Sequence, residues 1–171
     1  MRLLVLILLL YYVESYNIKK FILDKHNYYR SNVKPEASNM EKLYWNNYLQ
    51  YKAQKHANKC YGLYHDSLGQ NIFLATNKTG WNNVIKAWYG EHVNFKYDDK
   101  NFTFKKIGHY TQMVWAETNR IGCGYKFCGD YYLYVCNYYP YGNYVTKIHK
   151  PYISGKSCNK CKYNCRKKLC Y

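Results

Sequence analysis

The stretch GHYTQMVWAETNRIGCGY, residues 108–125, decides the fold class of this chain because its periodicity changes halfway along. The first half has helical spacing and predicts a short helix opened by Gly108. Four residues would share one face of this helix: His109, Gln112, Met113 and Ala116. The second half alternates and predicts a β-strand. His109 could serve as a catalyst, a metal ligand or a packing residue, and the rest of the chain bears on that choice.

The alternating half continues into a predicted β-hairpin. Alternation runs over 121–127, breaks at a turn over 128–130 and resumes over 132–138. Helices that precede such an antiparallel pair predict an α+β domain in which helices cover a sheet.

Three helices are predicted upstream of this stretch. The first begins after an N-cap at Asn17 and runs to about residue 31, and the second carries an apolar stripe over 49–60. The third begins near residues 79–80 and carries its apolar stripe over 84–92.

Residues 1–15 predict a signal peptide. Arg2 precedes an apolar run from Leu3 to Val13, and small and polar residues favour cleavage before Tyr16. The run is shorter than the ~20 apolar residues that a membrane span needs. We therefore expect a secreted, extracellular product without a transmembrane anchor.

The positive charge is concentrated near the carboxyl terminus. The formal net charge is +16, and no acidic residue follows Asp130. Residues 147–171 predict a basic, cysteine-rich tail that is too short to build its own core and depends on crosslinks. Such a tail attracts anionic partners in a salt-dependent way. Export argues against nucleic acid and favours sulfated glycans, anionic lipid or an acidic protein face, and a solvated tail without a dedicated patch is the alternative.

The eight cysteines predict four disulfides, because the exported compartment is oxidising. Sequence spacing alone leaves their connectivity open. The last four, within 158–170, could bind zinc, but zinc sites usually separate their ligand pairs by a longer stretch, and export favours disulfides. Asn77 and Asn101 begin N-glycosylation sequons, which predict surface loops.

The residues argue against an enzyme. Nucleophilic catalysis needs a free nucleophile beside a base, yet all the cysteines are expected to be paired and no Gly-x-Ser-x-Gly motif is present. A His-Glu-x-x-His zinc motif is also absent. A metal-assisted hydrolase centred on His65, Glu91 and His109 remains the enzymatic alternative.

Two motifs resemble the signatures of the CAP superfamily, which includes cysteine-rich secretory proteins, venom allergens and plant pathogenesis-related proteins. Residues 108–115 resemble the first signature and residues 134–143 the second. The resemblance implies a three-layer α-β-α sandwich over residues 16–146, followed by a small disulfide-stapled extension over 147–171.

The resemblance also implies a central cleft with two histidines and two acids, which in some members holds a divalent metal such as zinc. His65, Glu91 and His109 match three of these positions, and Gln70 stands at the fourth. Since Gln70 adds no charge, we expect weakened metal binding by His65 and His109 and no acid–base chemistry by a carboxylate pair.

The resemblance further implies the disulfide pairing and the function. The implied pairs are Cys60–Cys128, Cys123–Cys136, Cys158–Cys165 and Cys161–Cys170. Because the sequence stops at Tyr171, where cysteine-rich secretory proteins continue into an ion-channel-regulatory domain, we expect no channel block by such a module. The implied function is a secreted, non-enzymatic protein that binds a sterol, a fatty acid, an eicosanoid, or a host or prey protein. A glycan-binding surface protein that acts through the basic tail is the further alternative.

Overall fold

The computed structural model describes residues 2–171, which form an α+β fold with a single main sheet. The helices are α1 (Arg2–Ser31), α2 (Asn47–Asn58), α3 (Trp81–Gly90), a 3₁₀ helix (Glu91–Asn94) and α4 (Phe104–Met113). The strands are β1 (Tyr44–Trp45), β2 (Gln70–Ala75), β3 (Arg120–Phe127), β4 (Tyr132–Tyr139), β5 (Cys165–Arg166) and β6 (Leu169–Cys170).

The main sheet lies between two helical layers. Its strand order is β1-β3-β4-β2, with β1 parallel to β3 and the other pairs antiparallel. On β4, Leu133 and Val135 pack with α2, whereas Tyr134, Cys136 and Tyr138 pack in the core formed with α1, α3 and α4. The predicted three-layer α-β-α sandwich and its β-hairpin are therefore confirmed.

Strand β2 was not predicted from the sequence. Its residues Gln70, Asn71 and Ile72 are all buried, so its first half does not alternate between apolar and polar. Periodicity cannot identify a strand that is covered on both faces.

Gly122 allows α2 to lie directly on the sheet. A Cβ at this position would meet the backbone nitrogen of Gln50 at 2.1 Å, so any side chain would push α2 away from β3. The glycines around Cys123 are therefore a packing requirement.

Three predicted helix boundaries are wrong. Helix α1 continues through Asn17 to Arg2, because the leucine-rich segment before Asn17 favours helix as strongly as the segment that follows. Helix α2 ends at Asn58, since Cys60 adopts a φ of +53° and forms a disulfide with Cys128. Helix α4 begins at Phe104 and not at Gly108, so His109 lies inside the helix. Cleavage before Tyr16 stays a prediction.

A buried arginine organises the loop that follows α4. The Arg30 guanidinium donates to the carbonyls of Glu41, Met113, Trp115, Ala116 and Thr118. Each nitrogen of this fully buried guanidinium therefore donates to a backbone carbonyl oxygen, as burial of a charged arginine requires.

The tail folds back onto the sandwich. Tyr152 and Leu169 are buried in the same core as α1 and α3, and Cys170 donates its N–H to the Met40 carbonyl over 2.8 Å. The domain boundary at residues 146–147 stays a prediction from composition.

The four implied disulfides are all present: Cys60–Cys128, Cys123–Cys136, Cys158–Cys165 and Cys161–Cys170. They leave no free cysteine among residues 2–171. None of the helices in this part of the chain has the length and apolar character to cross a membrane.

Candidate functional site

His109 and Glu91 form a close pair at the carboxyl end of α3. His109 Nδ1 lies 2.6 Å from Glu91 Oε1, while Glu91 Oε2 accepts the backbone N–H groups of His109 at 2.8 Å and Tyr110 at 3.1 Å. Both carboxylate oxygens are therefore engaged within α4. Because Nδ1 faces the carboxylate, Nε2 is the ring nitrogen that remains for a ligand.

His109 is held on two further sides. Asn71 of β2 donates its side-chain N–H to the His109 carbonyl over 3.0 Å. The Trp88 ring stacks against the imidazole with centroids 6.2 Å apart. With a side chain about one-third exposed (33%), His109 presents one edge to solvent from a fixed position.

The other polar residues of residues 108–115 have structural roles. Thr111 donates its hydroxyl to the Asn143 side chain over 2.7 Å, and Gln112 accepts the Gly142 N–H over 2.9 Å. Gly142 is required there, since a Cβ would lie 2.5 Å from the Trp115 ring. The segments 108–115 and 134–143 thus bind each other and fix the helix that carries His109.

A second histidine–carboxylate pair lies beside the first. His56 of α2 is 1% exposed, and its Nδ1 lies 2.7 Å from Asp66 Oδ2. The two atoms are in close contact, but they are not aligned as a good hydrogen bond. Lys59 Nζ lies 3.0 Å from the same oxygen, and Gln70 donates to Asp66 Oδ1 over 3.2 Å. Although burial favours the neutral acid, these partners lower the pKa of Asp66 below its ordinary value.

His65 lies in the loop between α2 and β2, directly before Asp66. It is exposed on one side, and burial of the remainder lowers its pKa. The charges of His109 and His56 lower that pKa further, whereas Asp66 raises it. His65 is therefore close enough to both pairs to sense their charge, and its neutral form, the form that binds metals, is favoured.

Gln70 is buried at the start of β2. Its Nε2 donates to Asp66 and to Asn137 Oδ1, but its Oε1 has no partner among the described residues. The position therefore contributes an unpaired acceptor and no charge to the polar cleft, by which we mean the surroundings of His65, Gln70, Glu91 and His109.

The polar cleft fits only part of a zinc site. In residues 2–171, one group of three ligand-type side chains has its atoms within 4.8 Å of one another, namely Cys158, Cys161 and Cys165. Those cysteines are bound in disulfides. The cleft residues do not form such a group, and Glu91 is already engaged. His65 and His109 suit a two-histidine site with an orienting carboxylate, but the three-ligand arrangement of a hydrolytic zinc enzyme is not assembled.

An apolar cavity lies at the opposite end of α3. It has a volume of about 610 Å³ between α1, the start of α3 and the strands β3 and β4. Its apolar wall residues are Ile18, Phe21, Trp81, Tyr125 and Tyr134, and the polar residues Asn17, Lys78, Thr79 and Asn82 also line it. The Trp81 and Tyr134 rings meet edge to face at 5.1 Å, and the Tyr125 and Tyr134 rings stack at 5.4 Å. Hence one wall is a continuous aromatic surface.

Sequence reasoning missed Asp66, His56 and Asn71 as supports of the cleft. The only local signal was an acid directly after His65, because the partners of Asp66 and Asn71 come from distant elements. Asn77 and Asn101 are exposed outside helices and strands, and their glycosylation stays a prediction.

Comparison with known proteins identifies the family. The family model "CAP: Cysteine-rich secretory protein family" matches residues 23–138. Cysteine-rich secretory protein 3 of Equus caballus is 39% identical, over 92% of this chain and 70% of its own length. Allurin of Xenopus tropicalis is 37% identical, over 89% of this chain and 82% of its own.

Solved structures agree with this fold. The crystal structure of NaASP2 with Zn²⁺ is similar with a TM-score of 0.79 and 29% identity, over 90% of this chain and 94% of that one. The secreted relatives and the four disulfides make this an extracellular, secreted protein. With the family model matching more than half of its residues, the chain belongs to the CAP, or cysteine-rich secretory protein, family.

Proposed function

We propose that this protein is a secreted, non-enzymatic carrier of a small hydrophobic molecule such as a sterol, a fatty acid or an eicosanoid. The observation that carries this proposal is the apolar cavity between α1 and the start of α3. Its volume of about 610 Å³ falls within the range typical of small-molecule sites.

The position of the cavity supports the proposal. Its α1 residues, Asn17, Ile18 and Phe21, all follow the predicted cleavage point, so the wall is retained after removal of a leader. A second cavity of about 220 Å³ shares Ile18, Trp81 and Tyr125 with the first. A ligand with a ring system or a bent chain could therefore occupy both.

The energetics favour a ligand with an alkyl tail. Each methylene transferred from water to an apolar cavity contributes ~0.8 kcal/mol, or about a fourfold gain in affinity. We expect the affinity for saturated fatty acids to rise with chain length until the cavity is full. Binding through the carboxylate alone would leave affinity independent of length.

The test is a chain-length titration by native mass spectrometry on protein from a secreting host. Phe21→Glu places a charge in the cavity wall at a side chain that is 38% exposed, so folding should persist while affinity falls at least tenfold. Tyr51→Glu on α2, at a residue 61% exposed, is the matched control and should bind as the parent does. Absence of bound lipid and of uptake would refute the proposal and favour the alternative of a host or prey protein partner.

We further propose that any dication in the polar cleft is held by His65 and His109 alone, with Glu91 orienting His109. A bound dication would supply Lewis acidity to a neighbouring group. The engaged oxygens of Glu91 support an orienting role, which leaves no free carboxylate of this pair as a general base. A hydrolytic activity that His65→Ala/His109→Ala abolishes would overturn the non-enzymatic assignment.

A further inference from the structure

A basic groove lies between α1 and the tail hairpin and shares no wall residue with the apolar cavity or the polar cleft. It has a volume of about 520 Å³. Its walls contain the four cations Lys20, Lys42, Arg166 and Lys167, with Asp24 as the single acid. Since Asp24 is already paired with Lys20, the three remaining cations have no acidic partner in the groove walls. The Lys42 ammonium lies over the Tyr44 ring at 5.3 Å, which leaves Arg166 and Lys167 as the main cations of the groove.

The hairpin turn places lysines where the backbone disfavours them. Strands β5 and β6 pair through Arg166 and Leu169, which leaves Lys167 and Lys168 as a two-residue turn. Both have positive φ, +51° and +63°, the geometry for which hairpins favour asparagine and glycine. Lys167 and Lys168 therefore adopt this backbone geometry at a conformational cost.

The groove wall is fixed in place. Lys168 binds Glu36 over 2.7 Å, and Lys42 donates its N–H to the Cys170 carbonyl over 2.8 Å. Hydrogen bonds from Lys168 and Ser157 lower the pKa of Glu36 to about 2, so this contact persists at any physiological pH. The disulfides Cys158–Cys165 and Cys161–Cys170 crosslink the hairpin. Lys167 and Arg166 are thereby presented from a rigid support while both stay exposed.

We propose that this basic groove binds a linear sulfated glycan. A concave site with clustered cations fits a narrow anionic chain, whereas the flat surface of a bilayer would reach only its rims. Sulfates are permanently charged at the pH of the extracellular space, and the secreted protein meets such glycans there. This binding is independent of the hydrophobic ligand, since the groove shares no wall residue with the apolar cavity.

The experiment measures binding of a heparin-derived hexasaccharide to the full chain by isothermal titration calorimetry at two salt concentrations. Arg166→Gln/Lys167→Gln should lower the affinity at least fivefold and make it less dependent on salt. Lys160→Gln/Lys162→Gln is the matched control, because it removes the same charge from the same tail at residues that line a different cavity. The control should change affinity less than twofold.

Several results would overturn the proposal. Equal losses in the two double variants would assign binding to overall charge, and equal affinity for the desulfated hexasaccharide would exclude sulfate recognition. If Arg166→Gln/Lys167→Gln lost binding to phosphatidylserine vesicles but kept its hexasaccharide affinity, the groove would be assigned to membranes.

Two controls accompany these measurements. Unchanged melting temperatures would show that both double variants fold, and unchanged fatty-acid uptake would separate the result from the carrier function.

Discussion

The two ends of helix α3 carry concave regions that differ in how far their polar groups are already paired. At its carboxyl end, both oxygens of Glu91 are engaged by His109 and Tyr110. At its amino end, Trp81 opens onto a cavity of about 610 Å³ with aromatic and aliphatic walls. A helix of this length separates the two regions by about 15 Å.

This difference favours the apolar cavity over the polar cleft as the ligand site that we propose. In the polar cleft, both oxygens of Glu91 are used to hold His109 and the backbone beside it in place. The apolar cavity holds exposed hydrophobic surface, which gains free energy only when something covers it. We therefore expect changes in the cleft to alter stability and changes in the cavity to alter ligand affinity.

The largest expected effect follows Glu91→Ala. The change leaves two backbone N–H groups and the His109 ring without their acceptor, so the free energy of unfolding should fall by about 3 kcal/mol. Fatty-acid affinity should stay within twofold of the parent. Urea unfolding and ligand titration measure the two quantities. Glu117→Ala, at an exposed acid, is the control and should change stability by less than ~0.5 kcal/mol. A parallel loss of fatty-acid affinity would contradict the separate roles of the polar cleft and the apolar cavity.

The next effect concerns pH and acts on the support of the cleft. Burial lowers the pKa of His26 from 6.5 to about 4. His26 Nε2 lies 2.9 Å from the hydroxyl of Tyr138, to which Asn71, the residue that holds the His109 carbonyl, donates at 3.4 Å. The folded protein thus prefers the neutral ring. The stabilisation that the neutral His26 ring gives to the folded state is complete above pH 6.5 and is lost as pH falls towards 4.

The expected loss over this window is about 3 kcal/mol in the free energy of unfolding. Urea unfolding between pH 7 and pH 4 measures it, and the His26 resonances should remain those of a neutral ring until about pH 4. Titration of His26 near 6.5 would contradict the assignment. Uptake of an uncharged sterol per folded molecule should not change across the same window.

A smaller effect is expected from zinc. At ten times its dissociation constant, a cation that binds the folded state raises the free energy of unfolding by about 1.4 kcal/mol. His65→Ala/His109→Ala should remove this gain, whereas the exposed His92→Ala should retain it. Thermal unfolding with and without zinc measures the shift. An equal gain in the double variant would locate the metal outside the polar cleft.

The smallest effect is expected from Asp66→Asn. Partners in the fold lower the pKa of Asp66, so its stabilisation is present above the ordinary value of 3.8 and is lost as pH falls through the lower folded value. Because the side chain is about one-third exposed, we expect a loss of only about 1 kcal/mol at pH 7. As the pH falls from 3.8 through that lower value, the free energies of unfolding of the variant and the parent should converge in urea unfolding. A difference that persists there would assign the effect to packing.

The β3–β4 hairpin was more predictable than the helix ends. Alternation over residues 121–127 and 132–138, on either side of a turn, indicated the hairpin of β3 and β4, although both faces of β4 are buried. Gly108 was misleading, since it lies beneath the Phe104 ring and does not cap the helix. The apolar Phe104 and Ile107 were the signals that α4 starts earlier.

The cleft positions followed from the family resemblance, but their contacts did not. His109 and Glu91 meet because the 3₁₀ helix that begins at Glu91 packs against α4, which no local pattern encodes. The pair of His56 and Asp66 was missed for the same reason. Arg30 was also missed, since a charged residue is expected at the surface unless distant carbonyls are known to surround it.

The most direct test of the account is photocrosslinking of a fatty acid that carries a diazirine on its tail, followed by mass spectrometric mapping of the label. Binding in the apolar cavity predicts label on residues 17–21 and 78–82, at its walls, and loss of that label in Phe21→Glu. Label concentrated on His65, Glu91 or His109 would contradict it.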